Sequence, residues 1–310
     1  MVDVTRAAEM TLRPVPEPRQ ARWRAGLLGT TLDILQRDRF ALAGVIIYGV
    51  LILVAIFAPV IAPHDPQAVM EEGGIWLTNE KPSARFLLGT TNVGRDIFSQ
   101  LIYGARPALL VGFSAAFIVA FLGTIVGLIA GYFGGWVDAV LMRLTDVAFG
   151  IPFLPFVIVL VAFLGPSIWN VVLTMGMLLW RDTARIIRSQ VLTVRERAFV
   201  QAARVSGASP WRAIFVYVAP NILALSFLYG TLAIGWAILT EASVSFLGFG
   251  DPTVVSWGFM LQDAYVSQAL GRGAYYWFVP PGLCIMLAVM AGFFIGRGYE
   301  ELLFPRLRAR

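Results

Sequence analysis

VAFGIPFLPFVIVLVAFLGPSIWNVVLTMGMLLW, residues 147–180, runs for 34 positions without a charged side chain. As a single α-helix rising 1.5 Å per residue it would extend about 51 Å, against a bilayer hydrocarbon core of about 30 Å. Gly165-Pro166 lies near its middle, and that dipeptide is a strong turn former. The stretch therefore reads as two membrane spans joined by a short loop.

The basic residues test that division. Seven lie in residues 1–39, seven in 181–212 (Arg181, Arg185, Arg188, Arg195, Arg197, Arg204 and Arg212) and four in 297–310, together 18 of the 24 Lys and Arg. Loops rich in Lys and Arg stay on the cytoplasmic side, so an even number of crossings must separate each group from the next. Six spans meet the condition, at about 41–62, 106–132, 147–164, 167–187, 217–247 and 276–297. A single crossing at 147–180 would leave the arginines of 181–212 outside. The predicted organisation is a cytoplasmic tail over 1–39, a first span with an extracytoplasmic segment over 40–105, a five-helix core over 106–298 and a cytoplasmic tail over 299–310. The core carries a cytoplasmic loop at 195–220, so both termini are expected in the cytoplasm.

Composition agrees. The 310 residues are 58% hydrophobic and 14% charged, with a mean hydropathy of +0.75. A soluble domain carries about 25% charged residues. Further charge-free runs occupy 40–63, 107–137, 213–240 and 273–296. They lack the alternation of a membrane barrel, so the predicted fold class is all-α and polytopic in the membrane. The net charge of +5 is read as orienting arginines rather than a nucleic-acid footprint. The single Cys284 allows no internal disulfide, and no metal-ligand cluster or nucleophile–base set is visible. The polar first 39 residues, with Pro14-Val-Pro-Glu-Pro18, read as a flexible tail rather than a cleavable signal.

Two local patterns stand out. Gly123, Gly127 and Gly131 recur every four residues, on one face of the second span, where they admit a neighbouring backbone. Residues 195–220 read RERAFVQAARVSGASPWRAIFVYVAP. Arg195 to Ser206 suits a helix, with Gly207 as its left-handed stop. Ser209 and Pro210 suit the N-cap and first position of a second helix, with Trp211, Ile214 and Phe215 following at apolar spacing. Ala202, Ala203 and Gly207 would let another surface approach closely. A DNA-reading helix-turn-helix has similar spacing, but both ends here run into apolar spans and leave no supporting domain. Pro280-Pro281 is placed in the first turn of the last helix.

Phe199-Val-Gln-Ala-Ala-Arg-Val-Ser-Gly207, followed by Ile214 and Pro220-Asn221, resembles the EAA loop of ABC-importer permeases. Leu88-Gly-Thr-Thr-Asn-Val-Gly-Arg-Asp-Ile-Phe98 with Leu101-Ile-Tyr-Gly-Ala-Arg106 resembles the external segment of the C-type dipeptide/oligopeptide subunit. Glu241-Ala-Ser-Val-Ser-Phe-Leu-Gly-Phe-Gly250 with Ser256-Trp-Gly258 resembles its fifth helix and second external loop. The likeness covers about residues 35–310. Gln201 stands where the family has a glutamate, with Glu196 nearby, and Tyr217-Val-Ala-Pro220 and Gly296-Arg-Gly-Tyr-Glu-Glu301 also depart from its pattern.

The resemblance implies a type I importer permease fold and a non-catalytic subunit of a bacterial or archaeal plasma membrane. Its implied partners are a second, B-type permease, two ATP-binding subunits that hold ATP and Mg, an extracytoplasmic peptide-binding protein and membrane lipid. No nucleic acid is implied. Phe199, Gln201, Ala202, Ala203, Arg204, Gly207, Ser209 and Trp211 would meet the ATPase. Arg95, Asp96 and Trp257 would face the binding protein, and Glu241 is a gate candidate. The chain has no Gly-x-x-x-x-Gly-Lys-Ser/Thr phosphate loop of its own, and its single lysine, Lys81, lies in the external segment. Peptides are the implied solute, with nickel, glutathione and sugars left open. An ion-coupled secondary transporter is the rival class, with Glu241 as its proton site.

Overall fold

The computed structural model describes residues 38–303. The tail expected at 1–39 lies outside that range except for Asp38 and Arg39, with the Pro14–Pro18 segment; of that expected at 299–310, residues 299–303 belong to the last helix and the rest lie outside. In chain order the elements are α1 (Arg39–Ile61), a hairpin of β1 (Glu71–Glu72) and β2 (Ile75–Trp76), α2 (Ile97–Phe133), α3 (Gly135–Gly150), α4 (Phe153–Leu164), α5 (Ile168–Val194), α6 (Ala198–Val205), α7 (Pro210–Arg212), α8 (Leu223–Phe246), α9 (Trp257–Val266) and α10 (Tyr275–Leu303). The hairpin pairs antiparallel, Glu71 with Trp76 and Glu72 with Ile75.

The bundle is organised on α2. Asp96 caps its start, its carboxylate accepting from the Ser99 amide at 3.0 Å, and the helix then runs 37 residues. Its glycine stripe lies against α5. A Cβ on Gly123 would come within 2.6 Å of Thr183 Cβ, one on Gly127 within 2.7 Å of Ala184 O, and one on Gly131 within 2.7 Å of Val191 Cβ. The facing positions rise together along both chains, so α2 and α5 run side by side in the same direction. The segment between them must therefore return the chain.

That return differs from the sequence expectation. Residues 147–164 do not form one continuous helix. Helix α3 starts directly after α2, the reversal resting on Gly134 and Gly135 at φ +67 and +53, a left-handed region that residues with a Cβ rarely adopt. It then breaks at Ile151, and α3 and α4 meet at 86°. Pro152 is the cause. A residue before proline is pushed out of the helical region, and Ile151 has φ −89 and ψ 123. Pro152 also brings no N–H, so the Ala148 carbonyl loses its helical donor.

Arg181 of α5 donates to that carbonyl instead. Along the same face of α5, Arg185 pairs with Asp146 at 2.7 Å and Arg188 forks onto both carboxylate oxygens of Asp138. The Phe149 ring lies 4.7 Å from the Arg181 guanidinium and 4.1 Å from that of Arg185. Three arginines that the sequence reads only as orienting charge clamp α3 onto α5.

Among the described residues four helices are long and apolar enough to cross a membrane (α1, α2, α8 and α10), or five if the bent α3–α4 pair counts as one span. The expected six is not reached by this measure, because α5 carries Arg181, Asp182, Arg185 and Arg188 in its second half. The turn at Gly165 is as expected: α4 ends at Leu164, Gly165 has φ +92 and α5 begins at Ile168. The proline pair is not. Helix α10 begins at Tyr275, so Pro280 and Pro281 sit inside it, beyond the first turn.

Helix α1 packs on α10, where Gly44 meets the Ala291 carbonyl and the Phe40 and Phe294 rings lie 5.4 Å apart. Pro59 withholds a donor from the α1 ladder, and Arg106 of α2 fills the gap by donating Nε to the Ala55 carbonyl at 2.7 Å. A polar side chain thus satisfies backbone where lipid could not.

The α2–α5 contact should be intolerant of a single added methyl. Overpacking a tight interface costs about 1–3 kcal/mol, so Gly127→Ala should lower the thermal unfolding midpoint in detergent. Gly49→Ala, where a new Cβ would meet nothing within 4 Å, should leave it unchanged.

Candidate functional site

At the far end of α5 the chain turns out of the bundle. Helix α5 stops at Val194, and Arg197 is extended at φ −68 and ψ 146. The helix expected from Arg195 therefore begins only at Ala198 and lasts eight residues. It closes as the sequence suggests: Gly207 has φ +83, its amide donates to Arg204 O at 3.0 Å and that of Ala208 to Ala203 O at 3.0 Å. Ser209 caps α7, accepting from the Arg212 amide at 3.4 Å, with Pro210 at its first position.

The second helix does not continue as an α-helix. After one turn it widens into a π-helix over Ala213–Val218 and then tightens to a 3₁₀ turn over Ala219–Asn221. Pro220 offers no N–H, and the Asn221 side chain caps the Tyr217 carbonyl at 2.7 Å. Wide turns of this kind often mark working parts of a protein.

The elbow has an inner and an outer face. Val200 is fully buried, packed among residues that include Val191, Ile214 and Val218, and Ala203 is nearly as buried. Ala203 is thus turned into the chain and is not on the surface expected to meet a partner. Gln201 is half-buried, donating Nε2 to Glu196 Oε2 at 3.1 Å. Arg204 lies on the Tyr132 ring, 4.7 Å from its centre. Phe199, Ala202, Gly207, Ser209 and Trp211 are exposed. So is Val205, at 90%, which the sequence reading passed over. Its signal was its place two residues before the glycine stop, opposite the buried Val200 and Ala203. Arg197 and Arg212 are also exposed and form no ion pair among the described residues.

From the elbow a groove of about 700 Å³ runs up between α2 and α8. Phe113, Phe117, Phe121, Phe215, Phe227 and Ile234 contribute to its wall. A hydroxyl pair, Thr124 donating to Ser226 at 2.8 Å, interrupts that apolar lining.

Residues 123–309, which hold the glycine stripe, the elbow and the α8 wall of the groove, match the family of binding-protein-dependent transport system inner membrane components. Residues 27–82 match the N-terminal transmembrane domain of oligopeptide transport permease C. The chain belongs to this permease family. It is 36% identical to the dipeptide transport system permease protein DppC of Alkalihalophilus pseudofirmus, over 89% of this chain and 88% of that one. The di/tripeptide transport system permease protein DppC of Pseudomonas aeruginosa is 35% identical, over 87% and 89% of the two chains. The glutathione transport system permease protein GsiD of Escherichia coli is 33% identical, over 98% and 97%.

At the end of the permease opposite the elbow, the sequence expected Arg95, Asp96 and Trp257 on a docking face. The structure withdraws two of them. Asp96 is fully buried as the cap of α2, with His64 Nδ1 3.4 Å away. Trp257 is 1% exposed; its indole lies where a Gly104 Cβ would project and donates to the Leu101 carbonyl at 2.9 Å. Arg95 is half-buried and faces Asp263. Glu241 is buried in α8, accepting from Ser245 Oγ at 2.7 Å; it touches no basic side chain and braces the turn into α9 rather than opening to solvent. No cluster of His, Cys, Asp or Glu suited to a metal occurs among the described residues.

Burial pushes the Asp263 carboxyl above its ordinary range, while Arg95 pulls it back. A raised folded-state value means the folded chain keeps a proton that the unfolded chain has released. Stability is therefore greatest below the ordinary carboxylate pKa and falls as pH rises through the folded value. Asp263→Asn should flatten that part of the curve, read as thermal unfolding in detergent from about pH 4 to 7.

Proposed function

We propose that this permease is one of two membrane subunits of an ATP-driven importer of di- and oligopeptides. Its elbow seats on a separate ATP-hydrolysing subunit, and the groove between α2 and α8 is its share of the translocation path. The observation that carries the reading is the bare outer face of the elbow. Phe199, Ala202, Val205 and Trp211 stand exposed around a glycine turn, beyond the apolar length of any neighbouring helix. A small, convex, apolar knob between two free arginines suits a groove with an acidic rim on a partner.

The elbow then lies in the cytoplasm and α9 with the β-hairpin on the opposite side. There a binding protein would deliver solute and a second, homologous permease would close the groove. ATP and Mg belong to the partner subunits, and this chain takes no chemical step. Its task is to favour one of two bundle arrangements according to whether the partners hold ATP. The names of the relatives support peptides as cargo. Glutathione, itself a tripeptide, falls in the same chemical class and is the second reading, favoured by the full-length likeness to a glutathione permease.

Val205→Asp places a charge on the knob without touching the bundle. Uptake of a radiolabelled dipeptide should fall at least tenfold, while the amount of protein in the membrane stays unchanged. Parental uptake should require ATP and survive an ionophore that collapses the proton gradient; loss with the ionophore would instead support an ion-coupled transporter.

A further inference from the structure

The elbow is joined to α2 by contacts that lie outside its exposed face. Arg195, at the end of α5, donates to the Gly131 carbonyl at 2.7 Å and reaches the Tyr132 carbonyl at 3.4 Å. Arg204, in α6, donates Nε to the Tyr132 hydroxyl at 3.2 Å and covers its ring at 4.7 Å. Phe133 meets Trp211 edge-on with ring centres 5.5 Å apart, and Trp211 stacks on Phe215 at 6.1 Å. Phe215 belongs to the π-helix and is also part of the groove wall.

These contacts converge on three consecutive residues, 131–133, at the last turn of α2. Gly134 follows at φ +67, so the turn ends at a swivel. The Arg195 contacts are local to the stem of α5, where glycine packing already fixes α2. Those of Arg204 and Trp211 come from α6 and α7, beyond the break at 195–197. Arg204 lies over the Tyr132 ring and is tied to its hydroxyl, Trp211 meets Phe133 edge-on, and Val200 of α6 adds apolar packing in one cluster with Leu128 and Tyr132 of α2.

We infer that Tyr132 and Phe133 form a two-ring latch through which displacement of α6 and α7 reaches α2 and the groove. Arg204 pulls on the first ring and Trp211 on the second. Trp211 passes the same displacement through Phe215 into the opposite wall of the groove. The π-helix between α7 and α8 supplies the slack, because its wide turns can tighten by exchanging i→i+5 hydrogen bonds for i→i+4 ones. Both walls, α2 and the start of α8, would then move with one stroke of the elbow. Tyr132 and Phe133 are positioning residues: Tyr132 is buried, Phe133 lies against Trp211 at the edge of the elbow, and neither is part of the groove wall. The inference rests on the proposed ATP-driven function.

The experiment uses the full importer in proteoliposomes, with Cys284→Ala and Phe121→Cys to place a single thiol in the groove. The labelling rate with a fluorescent maleimide is measured with and without ATP and vanadate. In this parent the rate should change at least threefold. In Tyr132→Leu/Phe133→Leu, ATP hydrolysis should persist while the labelling rate no longer responds to ATP. A merely structural role for the rings would leave that response intact wherever hydrolysis survives. A parental response in the double variant overturns the latch. If the double variant does not assemble, Tyr132→Phe decides: a response reduced about twofold supports the latch, and a full one overturns it. A parent whose labelling ignores ATP would sink the ATP-driven reading itself, and the latch with it.

Discussion

The close approach of α2 and α5 is the constraint on which the other features rest. Three glycines at every fourth position let the two backbones meet where any Cβ would come within 2.8 Å of its neighbour. Water drives little of this association, because lipid solvates a side chain as well as a neighbouring helix does. What remains is dispersion between surfaces that fit, and that fit requires the absence of side chains on one of them. Because the two helices are parallel, the chain has to climb back between them, and α3 and α4 do so by a broken route. Because α5 is packed closely along α2 as far as Gly131 and Val191, the elbow begins where that contact ends.

Arginine does two different jobs along α5 and the elbow. Arg181, Arg185, Arg188 and Arg195 serve the chain itself: Arg181 and Arg195 answer carbonyls left over by a helix break and a helix end, and Arg185 and Arg188 pair with carboxylates of α3. Planar, always charged and rich in donors, arginine suits such places better than lysine, and the chain has one lysine against 23 arginines among its 24 basic residues. Arg197 and Arg212 remain free at the surface beside the apolar knob. Charge counting alone treats all of these as one cytoplasmic patch.

Much of the architecture was legible before the coordinates. Apolar runs located α1, α2, α8 and α10, because a bilayer imposes a length and a polarity that few other environments do. Gly165-Pro166 located a turn, and Gly207, Ser209 and Pro210 located the helix stop, the cap and the first position of the next helix, since each has a strong backbone preference, while the start at Ala198 and the π-helix after Arg212 were not foreseen. The readings that failed concern direction and depth. Asp96 and Trp257 are polar or amphipathic residues in segments read as external, and nothing local distinguishes a buried cap or a filled notch from an exposed contact. The break at Ile151 was announced by Pro152, but two prolines within an apolar run equally suit a helix start. The ion pairs of Asp138 and Asp146 have no local signal, because their partners lie about 40 to 50 positions away in sequence.

Helix α4 has twelve residues, about 18 Å of rise, and α3 leaves it at nearly a right angle. A hydrocarbon slab of ordinary depth is roughly 12 Å deeper than that. Wherever the outward flank of α4 borders acyl chains, the leaflets must pinch toward it, at a fraction of a kcal/mol for each ångström of mismatch. Membrane thickness thereby becomes a variable of this protein: a bilayer of long, saturated chains would press on the break at Pro152, and a thin one would relax it.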